Sequence, residues 1–478
     1  MAKEKKVEQI TDMETDFAQW YTDICRKAEL VEYASVKGFT ILRPYGYAIW
    51  ENMQNIMDAE FKKTGHVNVA MPVLIPESLL KKEGELVNGF APEVAWVTMG
   101  GSEQLEERLA FRPTSETMFC DHWSRVLHSY RELPMLYNQW CSVIRWEKTT
   151  RPFLRGSEFL WQEGHCLFET EEEAQKNALD VLDIYTRLGK ELLAIPFITG
   201  VKTDKEKFAG AVNTYTIEAL MHDGKALQSG TTHYFGTGFA EAFGIHFLGR
   251  NNTLEVPHQT SWGVSTRLLG AVIMVHGDDN GLVLPPFVAP TQVIIVPIRA
   301  ESEGVKEAVE KLQAELVAKG IRAKADFSDK TPGWKFAEYE MKGVPLRIEV
   351  GPRDLANGEC VIHKRYNGEK STVKLEGLAD TVPALLQQIH DAMYEAAVER
   401  LEQNVTLVRN MDELKAVLDK GGYAKAMWCG RVECEDKIKE ETCGGTSRCL
   451  PFDQTPHGDT CVCCGEHADK VVYFAKAY

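Results

Sequence analysis

Residues 138–168 have the sequence NQWCSVIRWEKTTRPFLRGSEFLWQEGHCLF. One apolar run ends at Ile144, a polar loop containing a proline and a glycine follows, and a second apolar run extends from Phe159 to Phe168. Apolar runs separated by turn-forming residues are typical of two strands joined by a loop. The pattern therefore predicts a hairpin around which the rest of the chain is arranged.

The loop of this hairpin is strongly basic, and two interpretations of it are open. Residues 145–155 contain four basic side chains and one acidic side chain. Arginine presents a planar fork of donors that matches phosphate oxygens, so the loop suits a polyphosphate; a solvated basic loop is the simpler alternative. Glu163 and His165, inside an aromatic strand, favour a functional site because buried charges are costly unless they are paired or used.

The overall composition indicates a globular protein of two to four domains. The chain has 478 residues, of which 44% are hydrophobic and 26% are charged, as in ordinary soluble proteins. Its apolar runs are too short to span a bilayer, and its first residues lack the apolar core of a signal peptide, so we expect a cytoplasmic protein without a membrane partner. A net charge of −16 excludes a general nucleic-acid coat but allows a local basic face.

The cysteines are concentrated near the end of the chain, where seven of the twelve lie between Cys429 and Cys464. In a cytosolic protein such a cluster indicates metal rather than disulfides. Cys429 and Cys434 form one pair, and Cys461 and Cys464, followed by glycine, form a second pair of the zinc-knuckle type. Four thiolates close a tetrahedral site, so the sequence predicts structural zinc.

Helical periodicity predicts four helices in the first half of the chain: Asp12–Val36, a helix from Pro44 to Gly65, Thr117–Tyr130 and Thr170–Leu193. A strand closed by prolines is expected from His66 to Pro76. Ahead of the third helix, Thr114 and Glu116 have two interpretations: they cap the helix, or they offer a hydroxyl and a carboxylate to a ligand amine.

Two further segments predict binding surfaces. Ala226–His233 is expected to be a strand end rich in hydrogen-bonding side chains. Gln259–Ser265, rich in serine and threonine, leads to Arg267 at the start of an apolar helix. A helix N-terminus favours anions, and an arginine there strengthens the prediction of a phosphate site.

Prolines 285, 286 and 290 mark a domain boundary. The pattern beyond it alternates strands and helices, which predicts an α/β domain with mostly parallel strands: strands at Thr291–Pro297, Ile321–Phe327 and Leu346–Val350, with helices at Glu303–Lys319 and Trp334–Lys342. A long helix, roughly Val382–Gln403, leads to the cysteine-rich segment.

Together these segments resemble the prolyl-tRNA synthetases, which are class II aminoacyl-tRNA synthetases, and specifically the shorter archaeal/eukaryotic-like type. The resemblance covers essentially the whole chain. The helix and strand ending at Pro72 resemble the first class II motif, Arg145–Phe159 the second, and Gly263–Pro285 the third. Thr114–Glu116 and Trp161–His165 are the segments that point to proline.

The resemblance implies an α+β fold. A class II antiparallel-sheet catalytic core would occupy residues 1–285, an α/β anticodon-binding domain 286–400, and a small zinc-bearing C-terminal domain 401–478. It implies a homodimer formed through the first motif near Pro72. The roughly one hundred residues between Phe168 and Arg267 are all expected to be core, so the editing insert of some relatives is expected to be absent.

The resemblance also implies the activity. Such an enzyme joins L-proline to ATP, with Mg²⁺ bound to the phosphates, and passes the prolyl group to the 3′ end of tRNA(Pro). Arg145 and Arg267 would be catalytic. The ATP-binding set would be Arg145, Glu147, Arg155, Gln228, Thr231 and Arg267. The proline-binding set would be Thr114, Glu116, Arg145, Trp161, Glu163, His165, Phe208, His233 and Ser265. Glu340, Arg347 and Lys364 would contact the anticodon, and Cys429, Cys434, Cys461 and Cys464 would bind zinc.

Several alternatives are open at this point. Cys463 can replace Cys464, because the second cysteine pair is spaced differently among members of the family. Tyr478, at the end of the chain, is expected to point toward the active site. A non-catalytic tRNA-binding relative is disfavoured because the predicted ATP-binding arginines are present, and a synthetase for another small amino acid is the remaining alternative.

Overall fold

A computed structural model of the chain describes residues 10–82 and 94–478. Residues 1–9, which belong to the segment judged not to be a signal peptide, lie outside this range. The strands of the first 285 residues are listed here: β1 Val31–Tyr33, β2 Thr40–Leu42, β3 Val67–Asn68, β4 Leu74–Pro76, β5 Trp96–Gly100, β6 Glu103–Phe111, β7 Met135–Ile144, β8 Glu158–Phe168, β9 Ile198–Val201, β10 Asn213–Leu220, β11 Ala226–Gly236, β12 Phe247–Leu248, β13 Leu254–Glu255 and β14 His258–Ser265.

The helices of the same region pack against these strands: α1 Phe17–Lys27, α2 Pro44–Lys63, α3 Glu77–Leu80, α4 Glu116–Val126, a 3₁₀ helix Tyr130–Glu132, α5 Glu171–Glu191, α6 Gly238–Ala242 and α7 Arg267–His276. The later elements follow in chain order: β15 Val293–Pro297, α8 Val305–Ala318, β16 Ala323–Ala325, α9 Pro332–Met341, β17 Leu346–Val350, α10 Pro352–Ala356, β18 Glu359–Lys364, β19 Lys370–Lys374, α11 Leu378–Gln403, β20 Val405–Val408, α12 Met411–Lys420, β21 Tyr423–Trp428, α13 Val432–Glu441, β22 Thr446–Pro451 and β23 Lys470–Ala475.

The predicted hairpin is present and lies inside a mostly antiparallel sheet. Strands β7 and β8 pair antiparallel from Met135 opposite Leu167 to Ile144 opposite Glu158. The sheet continues on one side to β3 and on the other through β14, β11, β10 and β9. Gly164 is required in β8, because a Cβ there would overlap the indole ring of Trp262 on the neighbouring strand. The predicted antiparallel sheet is thereby confirmed.

Two predictions for the first hundred residues are wrong in their bounds. The first helix ends at Lys27 instead of Val36, because Glu29 takes a left-handed φ of 60° and the chain continues into β1. The single strand predicted from His66 to Pro76 is two short strands, β3 beside β7 and β4 beside β6. Pro72 lies between them and lacks the N–H that a continuous ladder would need.

Other bounds shift less. The helix predicted over Thr117–Tyr130 is α4, which ends at Val126. The segment predicted as a strand end at His233 lies within β11, which continues to Gly236. Thr170 caps α5 by accepting a hydrogen bond from the Glu173 N–H. Residues 171–265 form α5, α6 and strands of the sheets, which agrees with the absence of an editing insert.

The α/β domain has the predicted order of elements. Its five strands are ordered β16-β15-β17-β18-β19. The first three are parallel to one another, β18 is antiparallel to β17, and β19 is antiparallel to β18. The long helix predicted from Val382 starts earlier, at Leu378, after Gly377 with a φ of 73°. Within the described residues, we find no helix that combines the length and apolar character needed to cross a membrane.

The C-terminal strands extend the catalytic sheet. β22 pairs with β9, Leu450 opposite Val201, and the eleven strands form one sheet ordered β20-β21-β23-β22-β9-β10-β11-β14-β8-β7-β3. A buried ion cluster reinforces this junction: Glu218 accepts from Lys202 Nζ at 2.7 Å and from Arg448 Nη2 at 3.0 Å. The last domain is therefore joined by hydrogen bonds and charge to the strands that carry the catalytic region.

Candidate active site

The ends of β8, β11 and β14 and the start of α7 enclose a cavity of about 220 Å³. Most of the predicted substrate-binding residues line it: Thr114, Glu116, Arg145, Trp161, Glu163, His165, Phe208, Gln228, Thr231, His233, Ser265 and Arg267. Glu147 and Arg155 lie outside this lining, on the neighbouring loop. The residues predicted for proline and for nucleotide therefore share one cavity.

Glu163 lies at the buried end of this cavity and is held by several donors. Its Oε1 accepts from Ser115 Oγ and from Gln139 Nε2, both at 2.5 Å, and its Oε2 lies 2.8 Å from His165 Nε2. Burial opposes ionisation, but hydrogen bonds from His165, Ser115 and Gln139 outweigh it and keep the pKa of Glu163 below its usual value. The carboxylate is thus an ionised acceptor, fixed before any ligand enters.

His165 is positioned by this carboxylate and by an aromatic ring. Its side chain is fully buried and stacks on Phe119 with ring centroids 4.2 Å apart. Because Glu163 accepts from Nε2, that nitrogen of the ring carries a proton. Nδ1 is buried without a hydrogen-bond partner, so the ring contributes a rigid wall.

Thr114 and Glu116 form a second buried group at the same end. Thr114 Oγ1 donates to Glu116 Oε2 at 2.5 Å, and Ser261 Oγ donates to Glu116 Oε1 at 3.2 Å. Ser115, and neither Thr114 nor Glu116, occupies the N-cap position of α4, and that position makes no side-chain hydrogen bond to the helix. Among the described residues no cation lies within ion-pairing distance of Glu116, so its charge is available to a ligand amine.

His233 closes the opposite wall. Its ring nitrogens lie 3.0 Å from the hydroxyls of Thr214 and Thr231, and Phe208 packs on the ring with centroids 4.7 Å apart. Burial, together with the neighbouring charge of His165, lowers the pKa of His233 to about 3. The ring is neutral, and the hydroxyl of Thr231, predicted to face the nucleotide, is engaged by it.

Arg145 stands between the two ends of the cavity. Its guanidinium lies 5.4 Å from the ring centroids of both Phe159 and Trp161, and its Nε donates to the Pro113 carbonyl at 3.0 Å. Cation–π contacts of this kind hold the guanidinium against the aromatic rings that line the cavity. Arg145 is therefore placed to meet a carboxylate and a phosphate at once.

Arg267 opens α7, as predicted. Its Nε donates to the Leu154 carbonyl and its Nη1 to the Gln228 carbonyl, both at 3.1 Å. Burial, followed by the positive charges of Arg155 and Arg145, lowers the pKa of Arg267 to about 10. Three arginines close enough to repel one another, beside a helix N-terminus, form a site that an anion would stabilise.

Glu147 and Arg155 face each other across the loop. Arg155 Nη1 donates to Glu147 Oε2 at 3.3 Å, and the Arg155 side chain is 49% exposed. A water-exposed ion pair has little free energy to lose, so nucleotide can replace it at low cost. Nearby, Arg151 lies over the ring of Tyr478 at 5.7 Å, and the Tyr478 hydroxyl donates to Asp223.

Sequence reasoning missed part of the lining: Phe159, Glu206, Thr214, Ser229, Gly230, Ser261, Trp262, Gly263 and Val264. Strand periodicity contained one usable signal, because Ser261, Gly263 and Ser265 alternate along β14 and so share a face with one another. Glu206 and Thr214 carried no such signal, since tertiary packing of a polar loop and of β10 brings them to the cavity.

The predicted anticodon residues are not all brought together. Arg347 is buried and donates to Glu340 at 3.2 Å and to Glu349 at 3.0 Å, with its guanidinium 4.0 Å from the Phe336 ring. Arg347 pairs with His363 in the sheet register, whereas Lys364 pairs with Leu346. Lys364 therefore points to the opposite face of the sheet from Arg347.

The predicted zinc ligands do come together. The sulfurs of Cys429, Cys434, Cys461 and Cys464 all lie within 4.8 Å of one another. Cys429 Sγ is 3.6 Å from Cys434 Sγ and 3.9 Å from Cys464 Sγ. Four thiolates about 2.3 Å from a tetrahedral zinc would be about 3.8 Å apart, so the residues present fit the metal.

Comparison with known proteins gives matches along most of the chain. The model of the tRNA synthetase class II core domain (G, H, P, S and T) matches residues 96–276. The anticodon binding domain model matches residues 292–385, and the model described as prolyl-tRNA synthetase, C-terminal, matches residues 411–478.

Full-length relatives are similar over the whole chain. Proline–tRNA ligase 2 of Bacillus cereus is 59% identical over 479 residues, covering 100% of both chains. Proline–tRNA ligase of Clostridium botulinum is 57% identical over 480 residues, again covering 100% of both. Identity at this level over the full length of both chains is sufficient to assign the molecule to one family.

Proposed function

The chain belongs to the prolyl-tRNA synthetases and is a proline–tRNA ligase, and we propose that the cavity between β8, β11 and β14 is where proline is activated. The observation that carries this assignment is the junction at Arg145, which lines the same cavity as the buried carboxylates of Glu116 and Glu163 and is close enough to repel the guanidinium of Arg267. Substrates of opposite chemistry would meet at that side chain.

At the proline end, Glu116 and the Thr114 hydroxyl would bind the imino group. Glu116 lines the cavity and has no cation against it among the described residues, and Thr114 and Ser261 donate to its carboxylate. Trp161, Glu163, His165, Phe208, His233 and Ser265 would enclose the ring. A small apolar ring is discriminated by only about 1–3 kcal/mol per methylene, so the rigid walls matter for selectivity.

At the nucleotide end, Arg145 would bridge the proline carboxylate and the α-phosphate, while Arg155 and Arg267 would hold the distal phosphates. Glu147 would accept a hydrogen bond from the adenine amino group, with Gln228 and Thr231 beside the ribose or base. Class II synthetases use ATP with Mg²⁺, and the bound metal neutralises phosphate charge. Glu206, which lines the cavity, would offer the metal a carboxylate oxygen.

Two steps follow from this placement. A carboxylate oxygen of proline attacks the α-phosphorus, the bond to pyrophosphate breaks, and prolyl-adenylate forms; the cluster of guanidinium groups offsets the charge that develops. A ribose hydroxyl at the 3′ end of tRNA then attacks the prolyl carbonyl, and AMP leaves. Positioning and charge neutralisation carry both steps, without a protein nucleophile.

We further propose that two copies associate through the segment around Pro72. Strand β3 is the terminal strand of the eleven-stranded sheet, and near it Val67 and Val73 are 53% and 40% exposed. An uncovered edge strand with exposed apolar side chains is normally paired or covered. Light scattering on the purified protein should give the mass of a dimer; a monomer at micromolar concentration would contradict the proposal.

The domain limits 1–285, 286–400 and 401–478 remain our proposal, supported by the matched ranges. For the anticodon we retain Glu340, Arg347 and Lys364 as candidates, although only the first two share a face of the sheet. The cytoplasm is the expected location, since tRNA charging serves protein synthesis there.

Zinc is proposed at Cys429, Cys434, Cys461 and Cys464. Metal analysis should give one zinc per chain for the wild type and for Cys463→Ser, but much less for Cys464→Ser. The reverse result would identify Cys463 as the fourth ligand in place of Cys464.

Activation across amino acids tests the substrate assignment. ATP–pyrophosphate exchange should depend on proline, with alanine and cysteine as weak substrates. Exchange supported by threonine or glycine but not by proline would favour a synthetase for another amino acid, and absence of exchange would favour a non-catalytic relative.

A further inference from the structure

Gln139 lies directly behind the proline end and contributes nothing to the cavity lining. It is 1% exposed, and on the hairpin it is the residue opposite Glu163. Its Nε2 donates to Glu163 Oε1 at 2.5 Å and to Ser115 Oγ at 3.0 Å. The buried amide of Gln139 thus donates a hydrogen bond to the carboxylate of Glu163 from outside the cavity.

The orientation of this amide is set by a different part of the chain. Gln139 Oε1 accepts from the Met71 N–H at 3.0 Å. An amide has a donor end and an acceptor end, so satisfying Met71 with the oxygen directs the nitrogen toward Glu163. If the amide were reversed, two donors would face each other at Met71 and two acceptors at Glu163.

Arg112 secures the same segment. Its Nη1 donates to the Met71 carbonyl at 2.8 Å, and its Nε donates to the Ser142 carbonyl on β7 at 3.0 Å. Both polar groups of Met71 are therefore bound by buried side chains that rest on the hairpin strand. The segment leading to Pro72 and the strand behind the proline wall are held in one arrangement.

We propose that Gln139 is a positioning residue for proline: it orients Glu163, and through Glu163 the His165 ring, relative to the segment before Pro72. The proposal rests on the proposed assignment of Glu163 and His165 to the proline site. Removing the amide would leave one oxygen of Glu163 short of a donor and the Met71 N–H unpaired. The carboxylate would then be free to turn, and the His165 ring would lose the acceptor that holds it.

Gln162 provides a matched control on the same hairpin. It is also a buried glutamine, but it neighbours Glu163 in sequence and so points to the opposite face of the sheet. Its amide donates to Asn138 at 2.7 Å and accepts from Tyr185 at 2.8 Å, and it is absent from the cavity lining. Loss of this amide costs the fold similar hydrogen bonds without touching the proline wall.

The test compares Gln139→Leu with Gln162→Leu in ATP–pyrophosphate exchange on the full-length protein. For Gln139→Leu we expect the KM for proline to rise about tenfold or more, as for loss of a hydrogen bond to a charged group. Its KM for ATP should stay within about twofold of the wild-type value. For Gln162→Leu both KM values should be unchanged, although its melting temperature should fall.

Ser115→Ala is the second test variant if Gln139→Leu fails to fold. It removes a second donor to Glu163 Oε1, leaves the weaker one from Cys141 Sγ at 3.5 Å in place, and creates only a small void, so the KM for proline should again rise while that for ATP does not. Equal KM values for Gln139→Leu and Gln162→Leu, or for Ser115→Ala and the wild type, would overturn the inference. Glu163→Gln separates this outcome from failure of the proposed site: if that variant binds proline normally, the assignment of Glu163 itself is wrong.

Discussion

The two ends of the cavity differ in how completely they are formed without substrate. At the proline end Glu116, Glu163 and His165 are at most 3% exposed, and both carboxylates are hydrogen-bonded. At the nucleotide end the side chain of Arg155 is 49% exposed, and its guanidinium forms an ion pair with Glu147. The proline end is preorganised throughout, whereas the nucleotide end combines the fixed guanidinium of Arg267, which two carbonyls hold, with the exposed and adaptable Arg155.

This difference has a physical reason. A small, weakly functionalised amino acid offers little binding free energy, so its site must lose little in ordering side chains. A triphosphate offers several charges and can reorganise exposed arginines as it binds. With the proposed assignment of the two ends, we expect selectivity to reside where the structure is rigid, and charge neutralisation where it is adaptable.

The largest effect should come from removing the residue that joins the two ends. Arg145→Ala should lower kcat/KM for ATP–pyrophosphate exchange by about a thousandfold, because it removes a charged donor from both the carboxylate and the phosphate. Arg250→Ala removes an exposed arginine that pairs with Glu169 elsewhere and should leave exchange unchanged. An active Arg145→Ala variant would contradict the proposal that Arg145 contacts both substrates.

The buried ion cluster of Glu218 with Lys202 and Arg448 can be tested separately. Glu218→Gln should lower the free energy of unfolding by about 3–5 kcal/mol, because it leaves two buried cations without their carboxylate. Urea unfolding measures this loss. Glu191→Gln, which removes one partner of an exposed pair, should cost less than about 1 kcal/mol; equal losses would show that the buried cluster is not a support.

Glu116→Gln sharpens the comparison at the proline end. The variant keeps the shape but loses the charge that faces the imino group, so the KM for proline should rise about ten- to a hundredfold. The KM for ATP should change less than about twofold. Parallel rises in both constants would mean that the two ends are not independent.

The sequence predicted the hairpin and the start of α7 because turn residues and strand patterns are local signals. It could not predict that β22 pairs with β9, since that contact joins residues about 250 positions apart. The same limit applies to Glu163, whose donor Ser115 lies 48 positions earlier in the chain. It also explains the amide of Gln139, which looked like an ordinary polar residue in an apolar strand.

Acid should lower the free energy of unfolding through His233. Its pKa is lowered by burial to about 3, against about 6.5 in an unfolded chain. Below pH 6.5 the unfolded chain therefore takes up a proton that the folded chain does not, and stability falls by up to about 1.4 kcal/mol per pH unit. His233→Gln should lose less stability between pH 7.5 and 5.5; the exposed His246→Gln should behave as wild type.

The smallest effect is expected at the exposed pair. Arg155→Ala should raise the KM for ATP only about three- to tenfold, since its guanidinium is largely hydrated before nucleotide binds. The KM for proline should not change. A loss as large as that of Arg145→Ala would show that the loop is as preorganised as the proline wall.

Hydrogen exchange of the free protein, with proline alone and with a non-hydrolysable ATP analogue, tests the contrast most directly. Proline should leave exchange in residues 158–168 nearly unchanged, because that strand is already fixed, whereas the nucleotide analogue should slow exchange in residues 145–157. Strong protection of 158–168 by proline, with no protection of the loop by nucleotide, would contradict the account.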